Sequence, residues 1–274
     1  MKLFAWFQEL ELLRNLTLRE VRSKYRRTAL GWAWSMLNPI VTALIYTLVF
    51  SKFFLAKPPV GNPSGLKNFT LFLLSGLLPW NMLAAGLSGS MVGLLGNASL
   101  ITKVKFCRET IIVATVAACA VTLIIELSVL SFGIWIFGNQ IPFAYLPVVA
   151  VVIAVQFVFV LGLGLLFSAA NVFLRDLQYL TNLGLMAWMY LTPVVYPISF
   201  VPKEIMVVGR TIGLRRIIEI NPMTSFVQAY KSCLYDLRFP TLSMWVGMGT
   251  AAIVSYVVGM SVFNRLQGRF AEEI

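Results

Sequence analysis

The sequence predicts an all-α membrane protein with six transmembrane helices, an N-terminal amphipathic interface helix and short re-entrant helices before the last span. Three observations predict this fold class. Of the 274 residues, 59% are hydrophobic and only 12% are charged. The mean hydropathy is +0.83. Several apolar runs also reach the roughly 20 residues that a helix needs to cross the hydrocarbon core. Soluble domains have about 25% charged residues, so this composition does not fit a soluble protein.

The first 30 residues predict a basic amphipathic helix ahead of the first span. Lysines and arginines stand between and after a set of apolar residues that recur at spacings of three and four, which is typical of a helical stripe; this set is Leu3, Phe4, Phe7, Leu10 and Leu13. Such a helix either lies in the plane of the lipid headgroups or packs as a solvated helix on a partner, and the two interpretations are compatible.

Six apolar segments predict the spans, at residues 36–54, 69–95, 111–137, 146–170, 180–197 and 242–263. Pro79 in the second segment predicts a kink or break near Leu78–Trp80. Residues 198–240 are too polar to span and too apolar for a free loop, which favours short re-entrant or interfacial helices. The whole chain, residues 1–274, then forms a single transmembrane domain.

An even number of spans puts both termini on one face of the membrane. That face carries 13 of the 22 lysines and arginines, so the positive-inside rule predicts cytoplasmic termini. The net charge of +11 favours membrane lipids and anionic lipid-linked substrates as partners, and no nucleic acid is expected.

Residue usage argues against an enzyme or a metal protein. Histidine is absent, which removes the commonest general base and metal ligand. The three cysteines, Cys107, Cys119 and Cys233, lack the spacing of a zinc site or a disulfide framework. The sequence also has no GxxxxGK[ST] phosphate loop. We therefore expect no catalytic residues, metal or cofactor on this chain, and any ATP and Mg²⁺ would be used by a separate ATPase.

The polar joint between the second and third predicted spans allows two interpretations. As a short amphipathic helix it would insert into a cleft on a partner, with Leu100, Val104 and Cys107 on one side and Lys103 and Arg108 elsewhere. As an ordinary basic loop it would only obey the positive-inside rule.

Glu126 is the only ionisable residue in the third predicted span. It belongs either to a transport or coupling pathway, or to a buried hydrogen bond between helices. Trp80, Trp188, Tyr190 and Tyr196 cluster near the predicted outer half of the membrane. They are either belt residues at the headgroups or aromatic faces that stack on the sugar rings of a glycan.

Several motifs, in sequence order, resemble the ABC-2 type permeases that export polysaccharides. The most specific is RSKYRRTALGWAWSMLNP at 22–39, which is similar to the N-terminal signature of that family. Further matches are GLLPW at 76–80, NVFLRD at 171–176, which places Arg175 and Asp176 in a cytoplasmic joint, TPVVYP at 192–197 and NPM at 221–223. The resemblance covers nearly the whole chain and is nearest to the permeases of O-antigen and wall teichoic acid exporters.

The resemblance implies a homodimer that carries two nucleotide-binding ATPase subunits in the bacterial cytoplasmic membrane. It implies that residues 1–30 lie along the inner leaflet and that residues 198–240 close the exit at the outer face. It also implies that residues 98–108 form a coupling helix for the ATPase, through Leu100, Lys103, Val104, Lys105 and Arg108. The substrate would be an undecaprenyl-pyrophosphate-linked glycan or polyol-phosphate polymer.

A lipid diphosphate of that kind needs cations at the height of the inner leaflet. Five residues just before the first span would receive it as charge-assisted donors, namely Arg22, Lys24, Tyr25, Arg26 and Arg27. The same cations would also suffice for topology and for generic binding of anionic lipid, and the residues leave both interpretations open.

Three other classes compete with this interpretation. An ABC-2 permease for a small lipid or drug is disfavoured by the signature at 22–39. A polytopic membrane glycosyltransferase usually needs a close acidic pair on a loop, whereas the close pairs here, Glu9/Glu11 and Glu272/Glu273, lie near the termini. A passive channel would leave the basic signature unexplained.

Overall fold

Helices joined by short turns make up almost all of the structure. A computed structural model describes residues 2–23, 31, 33–49, 53, 59–103, 106–138, 142–207 and 210–273. In chain order the elements are α1 (Lys2–Ser23), α2 (Ala33–Leu48), α3 (Phe69–Gly96), α4 (Ala98–Lys103), α5 (Glu109–Gly138), α6 (Leu146–Phe173), α7 (Leu177–Leu191), β1 (Ile205–Val207), β2 (Arg210–Ile212), α8 (Leu214–Ile220), α9 (Pro222–Lys231), α10 (Leu242–Leu266) and α11 (Phe270–Glu273).

Four of these helices are long and apolar enough to cross a bilayer, namely Phe69–Gly96, Glu109–Ile136, Leu146–Phe173 and Leu242–Arg269. The predicted class, a helical protein with several membrane-spanning helices, is confirmed to that extent. Helices α2 and α7 have 16 and 15 residues, fewer than the roughly 20 of a full span. Helix α7 ends before the predicted boundary at residue 197 because Pro193 follows Thr192, and a residue before proline favours extended backbone; Thr192 has φ −104° and ψ 135°.

Helix α3 forms the centre of the bundle, because α5, α6 and α9 all pack against it. The sequence predicted a kink or a break at Pro79. The helix continues through that residue, so a break does not occur, and a kink stays a prediction. Proline removes a backbone donor from a helix, but neighbouring helices can supply polar partners inside a membrane protein. The carbonyl that loses its helical donor at Pro79 is that of Ser75, one turn earlier. Nε2 of Gln156 on α6 donates a 2.8 Å hydrogen bond to the carbonyl of Pro79 itself and so ties α6 to α3.

Helices α6 and α10 approach each other most closely where two glycines face each other. A Cβ atom built on Gly259 would lie 2.0 Å from the carbonyl oxygen of Gly162. One built on Gly162 would lie 2.3 Å from the backbone carbon of Ser255. Small residues are typical of such contacts in membranes, because the backbones must come close for dispersion contacts to accumulate.

The helix contacts define two ends of the bundle. At the end that we call the terminal end, α1 packs on α5, and the joint between α3 and α5 touches the C-terminal helix α11. At the opposite end, which we call the loop end, residues 59–68 meet the segment after α9. The hydroxyl of Tyr235 lies 2.5 Å from the carbonyl of Pro59 and 2.9 Å from that of Leu66. Burial raises the pKa of Tyr235 to about 12, so this hydroxyl remains protonated as their donor.

The sequence predicted short helices for the segment 198–240. The structure contains strands there as well as helices. The segment begins with a turn of 3-10 helix at Ile198–Phe200, and an antiparallel pair of strands follows, with Ile205 opposite Ile212. β-Branched residues such as these favour strands over helices. Helices α8 and α9 come next, and α9 continues into a π-helical turn at Ser232–Asp236.

Candidate functional site

Of the five residues predicted to bind the lipid diphosphate, the structure describes one, Arg22 in α1. Arg22 is exposed in the last turn of α1. Lys24, Tyr25, Arg26 and Arg27 lie outside the described residues, so their role stays a prediction. Helix α1 itself is held to the bundle by two buried apolar side chains, Leu16 and Val21.

Two arginines fix the joint between α3 and α5 to other parts of the terminal end. Arg19 on α1 donates a 2.8 Å hydrogen bond to Oδ1 of Asn97, where the joint begins. Arg108, where the joint ends, donates to the carbonyl oxygen of Gln267, and its guanidinium carbon lies 6.0 Å from the ring centroid of Phe270.

The other residues predicted to couple the joint to an ATPase are only partly described. Leu100 is half-buried on α4, and Cys107, expected on the same side, is exposed. Val104 and Lys105 lie outside the described residues, and so does the side chain of Lys103. The coupling role predicted for Arg108 concerned a partner and did not include this contact within the chain. The signal that could have found it is Phe270, a large aromatic residue in a polar C-terminal tail.

The predicted cytoplasmic joint after α6 lies at the same end of the bundle. Arg175 and Asp176 are both exposed in the turn between α6 and α7. The backbone carbonyl of Asp176 accepts hydrogen bonds from the amides of Tyr179 and Leu180, at 3.1 and 3.2 Å. Asp176 therefore starts α7 through its backbone, and its side chain remains accessible from outside the bundle.

The four predicted aromatic residues form two linked pairs. The rings of Trp80 and Trp188 meet edge to face, with centroids 5.8 Å apart. The hydroxyl of Tyr196 donates a 2.9 Å hydrogen bond to the carbonyl of Tyr190. Trp80 is 3% exposed and Tyr190 is 60% exposed. The ring of Tyr190 is therefore exposed, whereas Trp80 is buried and packs against Trp188. A role in lining a glycan path stays a prediction.

Asn221 connects α7 to α9 and was not identified as a site residue from the sequence. Its Oδ1 accepts from Nε1 of Trp188 at 2.8 Å and from the backbone amide of Met223 at 3.1 Å. Its Nδ2 donates to Oγ1 of Thr192 at 2.9 Å. The available signal was the pair Asn221–Pro222, since asparagine is a preferred N-cap and proline is favoured at the first position of a helix.

Lys231 lies in the segment 198–240, where the sequence pattern did not indicate a buried cation. It is 3% exposed. Its Nζ donates to the carbonyls of Pro193 at 2.7 Å and Val194 at 2.9 Å, and it lies 3.7 Å from the ring centroid of Phe72. A Cβ atom on Gly76 would come within 2.8 Å of the Lys231 side chain. Lys231 thus joins the end of α7 to α3.

Glu126 is 9% exposed and lines a cavity of about 340 Å³ between α2, α3 and α5. The walls are mainly apolar, with Asn68 and Thr70 at one end. The location fits both interpretations from the sequence, a pathway residue and a buried carboxyl between helices. Among the described residues, no group of three or more His, Cys, Asp or Glu side chains is arranged to hold a metal ion.

Comparison with known proteins gives a consistent result over nearly the whole length of the chain. The sequence model described as ABC-2 type transporter matches residues 11–235. The O-antigen export system permease protein RfbA of Klebsiella pneumoniae is 28% identical over 264 residues, which is 96% of this chain and 94% of that protein. The RfbA protein of Myxococcus xanthus is 28% identical over 98% of this chain and 97% of its own length. The polysialic acid transport protein KpsM of Escherichia coli is 19% identical over 85% of this chain and 89% of its own.

Proposed function

Because this chain belongs to the ABC-2 type transporter family, we propose that it is the membrane subunit of an ATP-driven exporter of a cell-envelope polysaccharide. The observation that carries the proposal is the similarity, over nearly the full chain, to permeases of O-antigen export. Since the chain has no phosphate loop, a separate ATPase, with ATP and Mg²⁺, supplies the energy.

The substrate is a polymer linked to undecaprenyl pyrophosphate, either an O-antigen polysaccharide or a teichoic acid. Two copies of the chain build a continuous path at their interface, because a long polymer cannot be enclosed within one subunit. The basic signature at 22–27 receives the lipid diphosphate, and the exposed face of Tyr190 contributes an aromatic surface to the glycan path.

The chain crosses the bacterial cytoplasmic membrane six times, with α2 and α7 as the two shorter spans. Contacts of α1 and α11 with the same joint support an even number of crossings, since both termini then lie on one side. The positive-inside rule assigns that side to the cytoplasm, where the ATPase binds residues 98–108.

Helices α8 and α9 form a re-entrant pair that dips from the outer face and returns. Two contacts on α3 support this arrangement, one through Trp188 and one direct. Asn221, between the two helices, bonds to Trp188, which packs on Trp80 deep in α3. Lys231, at the end of α9, lies over Phe72, near the start of α3. In this position the pair closes the exit until α7 moves.

Deletion of this gene in its host, with complementation, tests the proposal. The deletion strain should still synthesise the polymer but accumulate it on its lipid carrier inside the cell. Surface polymer should return with the wild-type chain and not when the partner ATPase carries an inactivated phosphate-loop lysine. Loss of polymer synthesis itself would indicate a glycosyltransferase, and normal surface polymer with altered drug sensitivity would indicate a small-molecule exporter. Either result overturns the proposal.

A further inference from the structure

We propose that the C-terminal segment, residues 267–273, is a positioning element of the ATPase-docking joint, and that Arg108 transmits its effect. The inference rests on the proposed function, because it takes the joint at residues 97–108 to be the surface that the ATPase binds. It adds a component that neither the sequence motifs nor the similarity to other permeases contains. Arg108 acts in it by holding the joint in position for the ATPase.

The joint cannot hold its own orientation. The helix that the structure describes in it, α4, has six residues, and isolated helices shorter than about 12–15 residues are marginal in water. Its direction relative to the bundle must therefore come from contacts at its ends. The contacts at its ends include that of Arg19 with Asn97 at the start and that of Arg108 with the C-terminal segment at the finish.

The C-terminal segment is itself firmly anchored. Phe270 is fully buried. Its ring meets Phe263 of α10 edge to face, with centroids 5.3 Å apart, and lies 6.3 Å from the ring of Phe173 at the end of α6. Phe270 thus joins the terminal ends of the two most tightly packed helices, and Arg108 extends that rigid cluster to the joint.

Arg108 makes a hydrogen bond and a cation–π contact with the C-terminal segment. Both together require a side chain that carries a positive charge and a hydrogen-bond donor. The guanidinium donates to the backbone carbonyl of Gln267 and lies over the face of Phe270. A cation over an aromatic face gains electrostatic attraction, and lysine retains both interactions in weaker form. Glutamine retains a donor but loses the charge. The series Arg, Lys, Gln at position 108 therefore weakens the contact in steps without removing the side chain.

The test measures binding of the ATPase to purified permease in nanodiscs, for Arg108→Gln, Arg108→Lys and Phe270→Leu. We expect Arg108→Gln and Phe270→Leu each to weaken binding about tenfold, as for loss of a coupling near 1.4 kcal/mol. Arg108→Lys should retain most of the wild-type affinity. The double variant, Arg108→Gln with Phe270→Leu, should bind the ATPase no more weakly than either single variant, because both substitutions act on the same contact. Arg265→Gln removes an exposed cation from the last turn of α10 and serves as the control with unchanged binding.

Thermal unfolding of the permease alone separates positioning from folding. The inference requires that Arg108→Gln and Arg108→Lys have the same Tm while their ATPase affinities differ. The inference is overturned if Arg108→Gln binds the ATPase with wild-type affinity. It is also overturned if the affinity falls in parallel with Tm across the series. A separate variant, Leu100→Asp on α4, tests the docking site itself. If Leu100→Asp binds the ATPase normally, the proposed docking site at the joint is wrong. If Leu100→Asp weakens binding but the Arg108 variants do not, the joint is the docking site and the C-terminal segment does not position it.

Discussion

The indole Nε1 of Trp188, near the end of α7, donates a 2.8 Å hydrogen bond to Oδ1 of Asn221, the residue that starts α9. The same amide donates to Oγ1 of Thr192 and accepts from the backbone of Met223. One side chain thus joins two segments that are far apart in sequence, the end of α7 and the start of α9. In the proposed exporter this amide lies where α7 meets the element that closes the exit.

The first prediction concerns Asn221→Ala. The substitution leaves the Trp188 indole without its acceptor and removes the cap of α9, so we expect a loss of stability of about 1–3 kcal/mol. Thermal unfolding in nanodiscs measures it. Asn182→Ala is the matched control, because Asn182 is exposed on α7 and makes a hydrogen bond with Ser88 in an exposed setting. Equal effects of the two substitutions would contradict the role assigned to Asn221.

The second prediction concerns Gly76→Ala. A Cβ atom there would lie 2.8 Å from Cε of Lys231 and 3.2 Å from the carbonyl of Val194. Because two hydrogen bonds hold the lysine ammonium in place, the side chain cannot simply move away, and we expect a destabilisation of about 1–3 kcal/mol. The measurement is again the shift in unfolding temperature.

Gly184→Ala provides the control for that change, since nothing lies within 4 Å of a Cβ at Gly184 in α7. Alanine is favoured over glycine in a helix by about 1 kcal/mol, so this variant should be at least as stable as the wild type. Lys231→Met, combined with Gly76→Ala, should remove part of the clash. If the stability losses of Gly76→Ala and Lys231→Met were strictly additive, the Lys231 side chain would not be the group that a methyl group at position 76 meets.

The sequence predicted the long helices well and their contacts poorly. The predicted segments at 69–95 and 242–263 correspond to α3 and α10, because a run of apolar residues long enough to cross a bilayer is a strong signal. In a membrane, however, lipid-facing and packed faces are both apolar, so periodicity does not tell which face meets which. The contacts of Asn221, Lys231 and Arg108 all join residues distant in sequence. A local pattern such as Asn221–Pro222 indicates where a helix starts, but it does not indicate which distant residues the side chain contacts.

The third prediction concerns the crossing of α6 and α10. Gly259→Ala places a methyl group 2.0 Å from the backbone carbonyl of Gly162, and the two helices must separate to accept it. Overpacking usually costs about 1–3 kcal/mol and occasionally more; here we expect the upper end or beyond, because the obstacle is backbone. Gly249→Ala on the same helix meets nothing within 4 Å. A Gly259→Ala protein as stable as Gly249→Ala would disprove this close approach.

The last prediction returns to the basic signature before α2. Replacement of Arg26 and Arg27 by glutamine should abolish polymer export, because arginine binds a diphosphate through paired hydrogen bonds that glutamine, without charge, cannot replace. Insertion, orientation and basal ATP turnover should persist. The control removes two other cations near the same face, Arg14→Gln with Arg265→Gln, both exposed. Arg19 is unsuitable for this control because it holds Asn97.

Two measurements decide between recognition of the substrate and simple attraction to lipid. Each cation near an anionic surface contributes about 1 kcal/mol to lipid binding. Both double variants should therefore bind anionic vesicles more weakly than the wild type, and to the same extent. Only Arg26→Gln with Arg27→Gln should lose the stimulation of the ATPase by lipid-linked substrate. If both double variants export normally, these arginines serve topology alone. If both fail alike, the requirement is for charge at this face and not for a diphosphate site at residues 26 and 27.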